Sequence, residues 1–310
     1  MKAVVLTSEG FELREEAVPA CGPAQVLVRT AGCGVCEGDV FQYVMRMAGQ
    51  WGAGGDFIRM GHEGSGVVAE VGAHVTEFKV GDKVTSLYGD YADYFLAERW
   101  HLAKLPEGVD VKMALGEPLA CCMSAARRFG VRMGDRVAIV GCGYMGLSCL
   151  QLVKLQGAAE VVVFDLLDWR LETALEMGAD KAVNSSGQLR ELGEFDVAVE
   201  ATGVGPAIDL CTKLLRHHGT LSLVGYHQSN GGVRQIDMKT WNFKALTVVN
   251  GHVRDEAEKL GAMQAALRLV AHGKLDSAAL VTNYAFADIN QAFQDLKARR
   301  PGLYKANLVF

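Results

Sequence analysis

Val137-Ala138-Ile139-Val140-Gly141-Cys142-Gly143-Tyr144-Met145-Gly146 runs from an apolar strand, through three spaced glycines, into the start of a helical pattern. The spacing Gly-x-Gly-x-x-Gly is weak evidence alone and strong evidence in this strand-turn-helix setting. Gly141 permits the tight turn, and Gly143 lets backbone approach a pyrophosphate. Gly146 lets the helix pack on the strand, with the first residues, Tyr144 and Met145, beside the phosphates.

The neighbouring segments extend the same reading. Glu160–Asp165 is a second apolar strand, and its terminal Asp165 follows the last glycine by about 20 residues, where an acid accepts hydrogen bonds from ribose hydroxyls. A carboxylate there also repels a 2′-phosphate, which predicts NAD over NADP. Arg170 follows in a helix and is expected over the adenine or paired with Asp168. Ala182-Val183, Asp196–Glu200, Gly219–Gly225 and Ala245–Asn250 are further strands, separated by helical stretches. Apolar strands alternating with helices predict a parallel sheet covered on both faces, here doubly wound as in the Rossmann fold. Thr202 and Gly225 lie just after two of these strands, on the edge where such sheets bind ligands.

The preceding region reads differently. Lys2–Thr7, Phe11–Glu16, Gln25–Arg29, Gly66–Val71, Lys83–Leu87 and Tyr91–Leu96 are short β-rich segments between Gly-rich turns. They predict a small irregular barrel. The chain is therefore expected to hold two domains: residues 1–123, completed by 256–310, and a dinucleotide-binding domain over 124–255.

Within the first of these, Cys36, His62, Glu63 and Glu117 are candidate metal ligands. Thiolate, imidazole and carboxylate together suit a zinc ion that keeps one position open. The reading favours Cys36, His62 and Glu117, with Glu63 as an alternate. Adjacent residues in an extended chain point opposite ways, so His62 and Glu63 can share a site only if the Gly-flanked turn bends. Asp39, one helical turn after Cys36, is placed to orient an imidazole. His74, His101, His217, His218, His227, His252 and His272 have no such neighbours, and His217-His218 read as helix-end residues. Cys121-Cys122 read as small core residues. Residues 41–60 are expected to border the substrate, with Arg46 and Arg59 either recognising a phosphate or carboxylate or simply solvated.

The bulk properties exclude other classes. A net charge of −5 leaves no basic footprint for nucleic acid or anionic membrane. No apolar run reaches the ~18 residues of a spanning helix. The eight cysteines lack the spacing of a secreted disulfide framework. The cytoplasm is the expected location.

Cys33-Gly34-Val35-Cys36-x-x-Asp39, Gly61-His62-Glu63-Gly64-x-Gly66, Val80-Gly81-Asp82-Lys83-Val84, Glu117-Pro118-Leu119-Ala120 and the glycine fingerprint together resemble the zinc-dependent medium-chain dehydrogenases. Glu117-Pro118-Leu119 is most similar to the sorbitol and threonine dehydrogenase branch. The resemblance implies a GroES-like β-barrel joined to a Rossmann domain, a catalytic zinc, NAD, an alcohol or polyol substrate, and a homodimer or homotetramer. Two departures stand out. The four-cysteine lobe that holds a structural zinc in relatives is missing between Lys83 and Tyr91, so a single zinc is expected. Gly38 stands where relatives place a proton-relaying Ser or Thr, and Phe41 where some place a histidine. The expected reaction is oxidation of a secondary alcohol. The rival readings are a zinc-free quinone or enone reductase and a catalytically silent NAD-binding protein.

Overall fold

The computed structural model describes residues 1–50, 57–187 and 192–310. These fall into two units, Met1–Ala120 with Asp255–Phe310, and Cys121–Arg254.

The first unit begins with strands β1 (Lys2–Thr7), β2 (Gly10–Glu15) and β3 (Gln25–Gly34). Helix α1 (Glu37–Met47) follows, then β4 (Ile58–Arg59), β5 (Glu63–Val71), β6 (Lys83–Ser86), β7 (Tyr94–Glu98) and β8 (Leu102–Lys104). Helix α1 starts at Cys36 because that residue caps it. The Cys36 sulfur accepts from the Gly38 N–H at 3.4 Å, and Asp39 Oδ2 accepts from the Cys36 N–H at 3.2 Å. Strand β7 alternates buried and partly exposed positions, whereas β1, β3 and β5 carry runs of consecutive buried residues. Val26, Val28, Val68, Val84 and Phe95 fill one core, and each buried side chain of this size contributes about 1.5–3 kcal/mol.

Helix α2 (Gly116–Ala126) leads towards the second unit's strands and helices. These are β9 (Arg136–Val140), α3 (Tyr144–Leu155), β10 (Glu160–Asp165), α4 (Asp168–Glu176), β11 (Lys181–Asn184), β12 (Phe195–Glu200), α5 (Gly205–Leu214), β13 (Leu215–Leu223), α6 (Met238–Lys244) and β14 (Thr247–Asn250). All six strands are parallel, in the order β11-β10-β9-β12-β13-β14. The order reverses at β9, so the crevice for a ligand opens beside the strand that carries the glycine turn. Val137, Ala138, Ile139 and Val140 are buried on both faces, which is why the strand reads as a continuous apolar run. His217 and His218 lie inside β13, not at a helix end as expected.

The chain then returns to the first unit with α7 (Glu256–Ala271), β15 (Val281–Ala285), α8 (Ile289–Lys297) and β16 (Lys305–Val309). Asp255 caps α7 by accepting from the Glu258 N–H at 2.7 Å. Strand β16 inserts between β15 and β3, giving the sheet order β15-β16-β3-β5-β6-β8 with β7 also on β3. This insertion is antiparallel to β3 and puts Asn307 opposite Gly34. It brings the end of the chain beside residues near position 34, a proximity that decides the metal cluster.

None of the described helices is long and apolar enough to cross a membrane.

Candidate metal and dinucleotide sites

In the first unit, Cys36, His62 and Glu63 bring one donor atom each to within 4.8 Å of one another. Cys36 sits at the N-terminus of α1, where the helix dipole favours negative charge. His62 and Glu63 share the cluster because Gly61 bends the chain just before β5. Its φ is +100°, and a Cβ there would fall 2.8 Å from the Tyr91 nitrogen. Sulfur, nitrogen and oxygen in this arrangement match the donor types of a zinc site.

Each donor has its own support. Asp39 is nearly buried, and its Oδ1 lies 3.5 Å from His62 Nδ1. The Tyr91 hydroxyl donates to Asp39 Oδ2 at 2.8 Å. This fixes the carboxylate that turns the imidazole, as supporting partners do around metals. Burial alone would lower the His62 imidazole, but hydrogen bonds to Asp39 and Cys36 outweigh it and raise it to about 12. Glu63 is 0% exposed. Its Oε1 accepts from Lys305 Nζ at 2.6 Å, and its Oε2 is a buried oxygen with no hydrogen-bond partner. Burial pushes the Glu63 carboxyl up, while Lys305 and His62 pull it back. A buried carboxylate oxygen left bare beside a thiol and an imidazole is the feature that a metal ion would satisfy.

Glu117, the expected third ligand, lies outside this cluster. Its Oε1 accepts from Lys259 Nζ at 3.2 Å. It still acts electrostatically on Glu63. The bend at Gly61 thus brings Glu63, rather than Glu117, into the donor cluster with Cys36 and His62. Lys305 escaped the sequence reading altogether. The one available signal was a lysine opening the otherwise apolar strand Lys305-Ala306-Asn307-Leu308-Val309. Arg59 is engaged by Glu16 at 2.5 Å and by Asp90, so it holds its own unit together and is not poised for a ligand. The expectation that 41–60 borders the substrate falls partly outside the described residues, at 51–56.

In the second unit, Gly141 has φ +101°, and a Cβ there would fall 2.5 Å from Thr202 Cγ2. A Cβ on Gly146 would fall 1.8 Å from the Gly141 oxygen, so α3 can leave the strand this closely only with glycine. A Cβ on Gly143 would meet only Arg170 Nη1, at 4.0 Å. The turn is therefore closed where it packs and open where a phosphate would approach. Tyr144 is buried as the first residue of α3, and Met145 Sδ lies 3.5 Å from Cys122 Sγ.

Asp165 ends β10 and closes this turn from the side. Its Oδ2 accepts from the Cys142 N–H at 2.7 Å, and its Oδ1 accepts from the Leu166 and Leu167 N–H groups at 2.8 and 3.0 Å. Arg170 pairs with Asp165, Nη1 to Oδ2 3.9 Å, and lies over the Trp169 ring at 5.1 Å. The expected pairing with Asp168 is not the one found. Asp168 instead accepts from Asn184 at 2.7 Å.

Thr202 and Gly225 meet around a residue that sequence reading missed, Glu200. Its Oε1 accepts from the Thr202 N–H and hydroxyl at 2.6 and 2.5 Å, and its backbone oxygen accepts from the Gly225 N–H at 2.9 Å. The signal was present: Glu200 ends an apolar strand as Asp165 does. His227, read as having no relevant neighbour, lies 3.0 Å from Glu200 Oε2.

The family models place this arrangement among known proteins. An alcohol dehydrogenase GroES-like domain matches residues 22–107, and a zinc-binding dehydrogenase domain matches residues 145–272. Sorbitol dehydrogenase of Gallus gallus is 33% identical over 291 residues, covering 76% of this chain and 80% of the relative. L-threonine 3-dehydrogenase of Deinococcus radiodurans is 28% identical over 336 residues, covering 95% and 93%. The solved galactitol-1-phosphate dehydrogenase of Escherichia coli shares the fold, with a TM-score of 0.87, 24% identity and 100% of both chains covered. The chain belongs to the zinc-dependent medium-chain dehydrogenases.

Proposed function

We propose that this protein oxidises a secondary alcohol of a polyol, sugar or cyclitol to a ketone, using NAD and one zinc ion. The convergence of Cys36, His62 and Glu63 within 4.8 Å carries the reading. The relatives named sorbitol dehydrogenase favour a polyol over a simple alcohol.

In this reading the first unit is the catalytic domain and the second binds the cofactor. Cys36, His62 and Glu63 hold the metal. Asp39 orients His62, and Lys305 holds one oxygen of Glu63. Zinc bound there supplies Lewis acidity, which makes a hydroxyl group more acidic. NAD would supply the hydride acceptor, and the Asp165 carboxylate would favour it over NADP by accepting from ribose hydroxyls and repelling a 2′-phosphate. The proton must reach another group, because Gly38 has no hydroxyl and Phe41 no imidazole. Glu117 suits this role: it lies outside the donor cluster yet near enough to act on Glu63. Water and Glu37 are the other acceptors.

The finer expectations belong to the same reading. Strand β6 is followed within a few residues by β7, leaving no room for a cysteine lobe, so one zinc per chain is expected. The eight free cysteines suit a reducing compartment such as the cytoplasm. A homodimer or homotetramer is part of the proposal and is measured by light scattering.

Two measurements test it on protein purified without chelator. Metal analysis should give about one zinc per chain. NADH formation at its absorbance band should appear with at least one member of a polyol panel, and NAD should be preferred to NADP. Zinc-free protein that reduces quinones, or a preference for NADP, would overturn it.

A further inference from the structure

Thr202 and Gly225 belong to two turns that a buried polar chain ties together. Glu200, 0% exposed, spends Oε1 on the Thr202 N–H and hydroxyl and on the Gly203 N–H at 2.8 Å. The Oε2 atom faces His227 Nε2 at 3.0 Å. On its other side, His227 Nδ1 lies 2.9 Å from Arg234 Nε. Arginine can only donate, so Nδ1 accepts and the ring hydrogen sits on Nε2, where it donates to Glu200. Arg234 then reaches the Gly203 oxygen at 3.1 Å and the Ser229 and Val233 oxygens at 2.6 and 2.8 Å.

The turns so tied are stacked on the glycine turn. A Cβ on Gly225 would fall 2.1 Å from the Gly203 nitrogen, and a Cβ on Gly141 would fall 2.5 Å from Thr202 Cγ2. Strands β9, β12 and β13 are neighbours. Their three turns therefore form one layer along the carboxyl edge, where sheets of this kind bind their ligand. Glu200 fixes the middle turn. The outer turn is fixed to it by His227 and Arg234.

We propose that His227 is a positioning residue for the cofactor: it passes a hydrogen bond from Arg234 to Glu200 and so sets the outer turn, at residues 225–227, against the glycine turn. His227 acts through this turn and does not itself take a proton in the reaction. The proposal rests on the reading of the second unit as the NAD site. Truncating the imidazole leaves a buried carboxylate oxygen without its donor and removes the acceptor of the Arg234 Nε–H. Glutamine is a neutral replacement that can both donate to Glu200 and accept from Arg234.

The test is NADH binding by fluorescence titration, with the KM for NAD and kcat, on full-length wild type, His227→Ala, His227→Gln and Arg234→Met. His227→Ala should weaken NADH binding about tenfold, the effect of one unsatisfied buried acceptor. Its KM for NAD should rise in step, with a much smaller fall in kcat. His227→Gln should recover most of the affinity, and Arg234→Met should lie between wild type and His227→Ala. Zinc content should be equal in all four. Unchanged affinity in His227→Ala would overturn the proposal, and so would a glutamine variant as damaged as the alanine one. If His227→Ala fails to fold, unchanged affinity in Arg234→Met decides against it. Wild-type protein that binds no NADH would overturn the cofactor reading, and this proposal with it.

Discussion

The metal cluster and the glycine turn are built in opposite ways. The cluster uses side chains that the chain delivers from positions 36, 62, 63 and 305, held by a capped helix, a bent strand entry and an inserted terminal strand. The turn uses consecutive backbone, and its glycines matter because side chains are absent. A site made of side-chain donors in a buried setting should fail abruptly when one donor is removed. A site made of backbone N–H groups should degrade by degrees when a flanking side chain changes.

The sharpest test of this contrast is removal of a donor. Cys36→Ser and His62→Ala should lose zinc and NADH-forming activity together. The loss should exceed the ~10–100-fold that removal of a supporting partner costs. Far-UV circular dichroism should stay that of folded protein, because the cluster closes no lobe. Zinc retention in either variant would break the assignment.

The two acids come next. Glu63→Gln keeps an oxygen but removes the donor's charge, so zinc affinity should fall by at least the ~10–100-fold that loss of a supporting partner costs. Glu117→Gln should keep its zinc and lower kcat by about 100-fold if it accepts the proton. Metal analysis beside steady-state kinetics separates them. Loss of zinc in Glu117→Gln alone would restore the order that the sequence suggested.

On the second unit's side, Asp165→Asn keeps an acceptor for the Cys142 N–H and removes the charge. NAD affinity should fall by about tenfold, one charge-assisted hydrogen bond's worth. The preference for NAD over NADP should narrow while the turn itself stays formed. Titration with both cofactors reads this. An undiminished preference would mean that the backbone, not the carboxylate, discriminates.

The smallest effect belongs to the far end of the same sheet. Hydrogen bonds from Lys181 and Arg136 hold the Glu160 carboxyl below its ordinary value. Its contribution is therefore present above its ordinary value of 4.5 and is lost as pH falls through the lower folded value. The pair is partly exposed, so Glu160→Gln should cost under about 1 kcal/mol at neutral pH. The difference from wild type should vanish in acid. Urea unfolding at pH 7 and pH 3 checks both the size and the sign.

Much of the second unit was legible in advance, because its instructions are local. Each parallel strand must be apolar on both faces, and the glycines at 141, 143 and 146 are spaced by the geometry of one turn. Asp165 needed only to end the next strand. The misreadings there came from side chains that choose among partners in space. Arg170 took Asp165 in place of Asp168, and His227 took Glu200 across the gap between two turns.

The sequence by itself determined the alternating strands and helices of the second unit, their doubly wound arrangement and the residue types of both sites. Periodicity and turn chemistry act over a few residues, and donor types follow from the metal's chemistry. Only the tertiary structure places the Glu63 carboxylate beside Cys36 and His62. That placement depends on the left-handed bend at Gly61 and on strand β16 entering beside β3 with Lys305 at its start. A buried charge is placed by its counter-charge, and here the counter-charge lies at the other end of the chain.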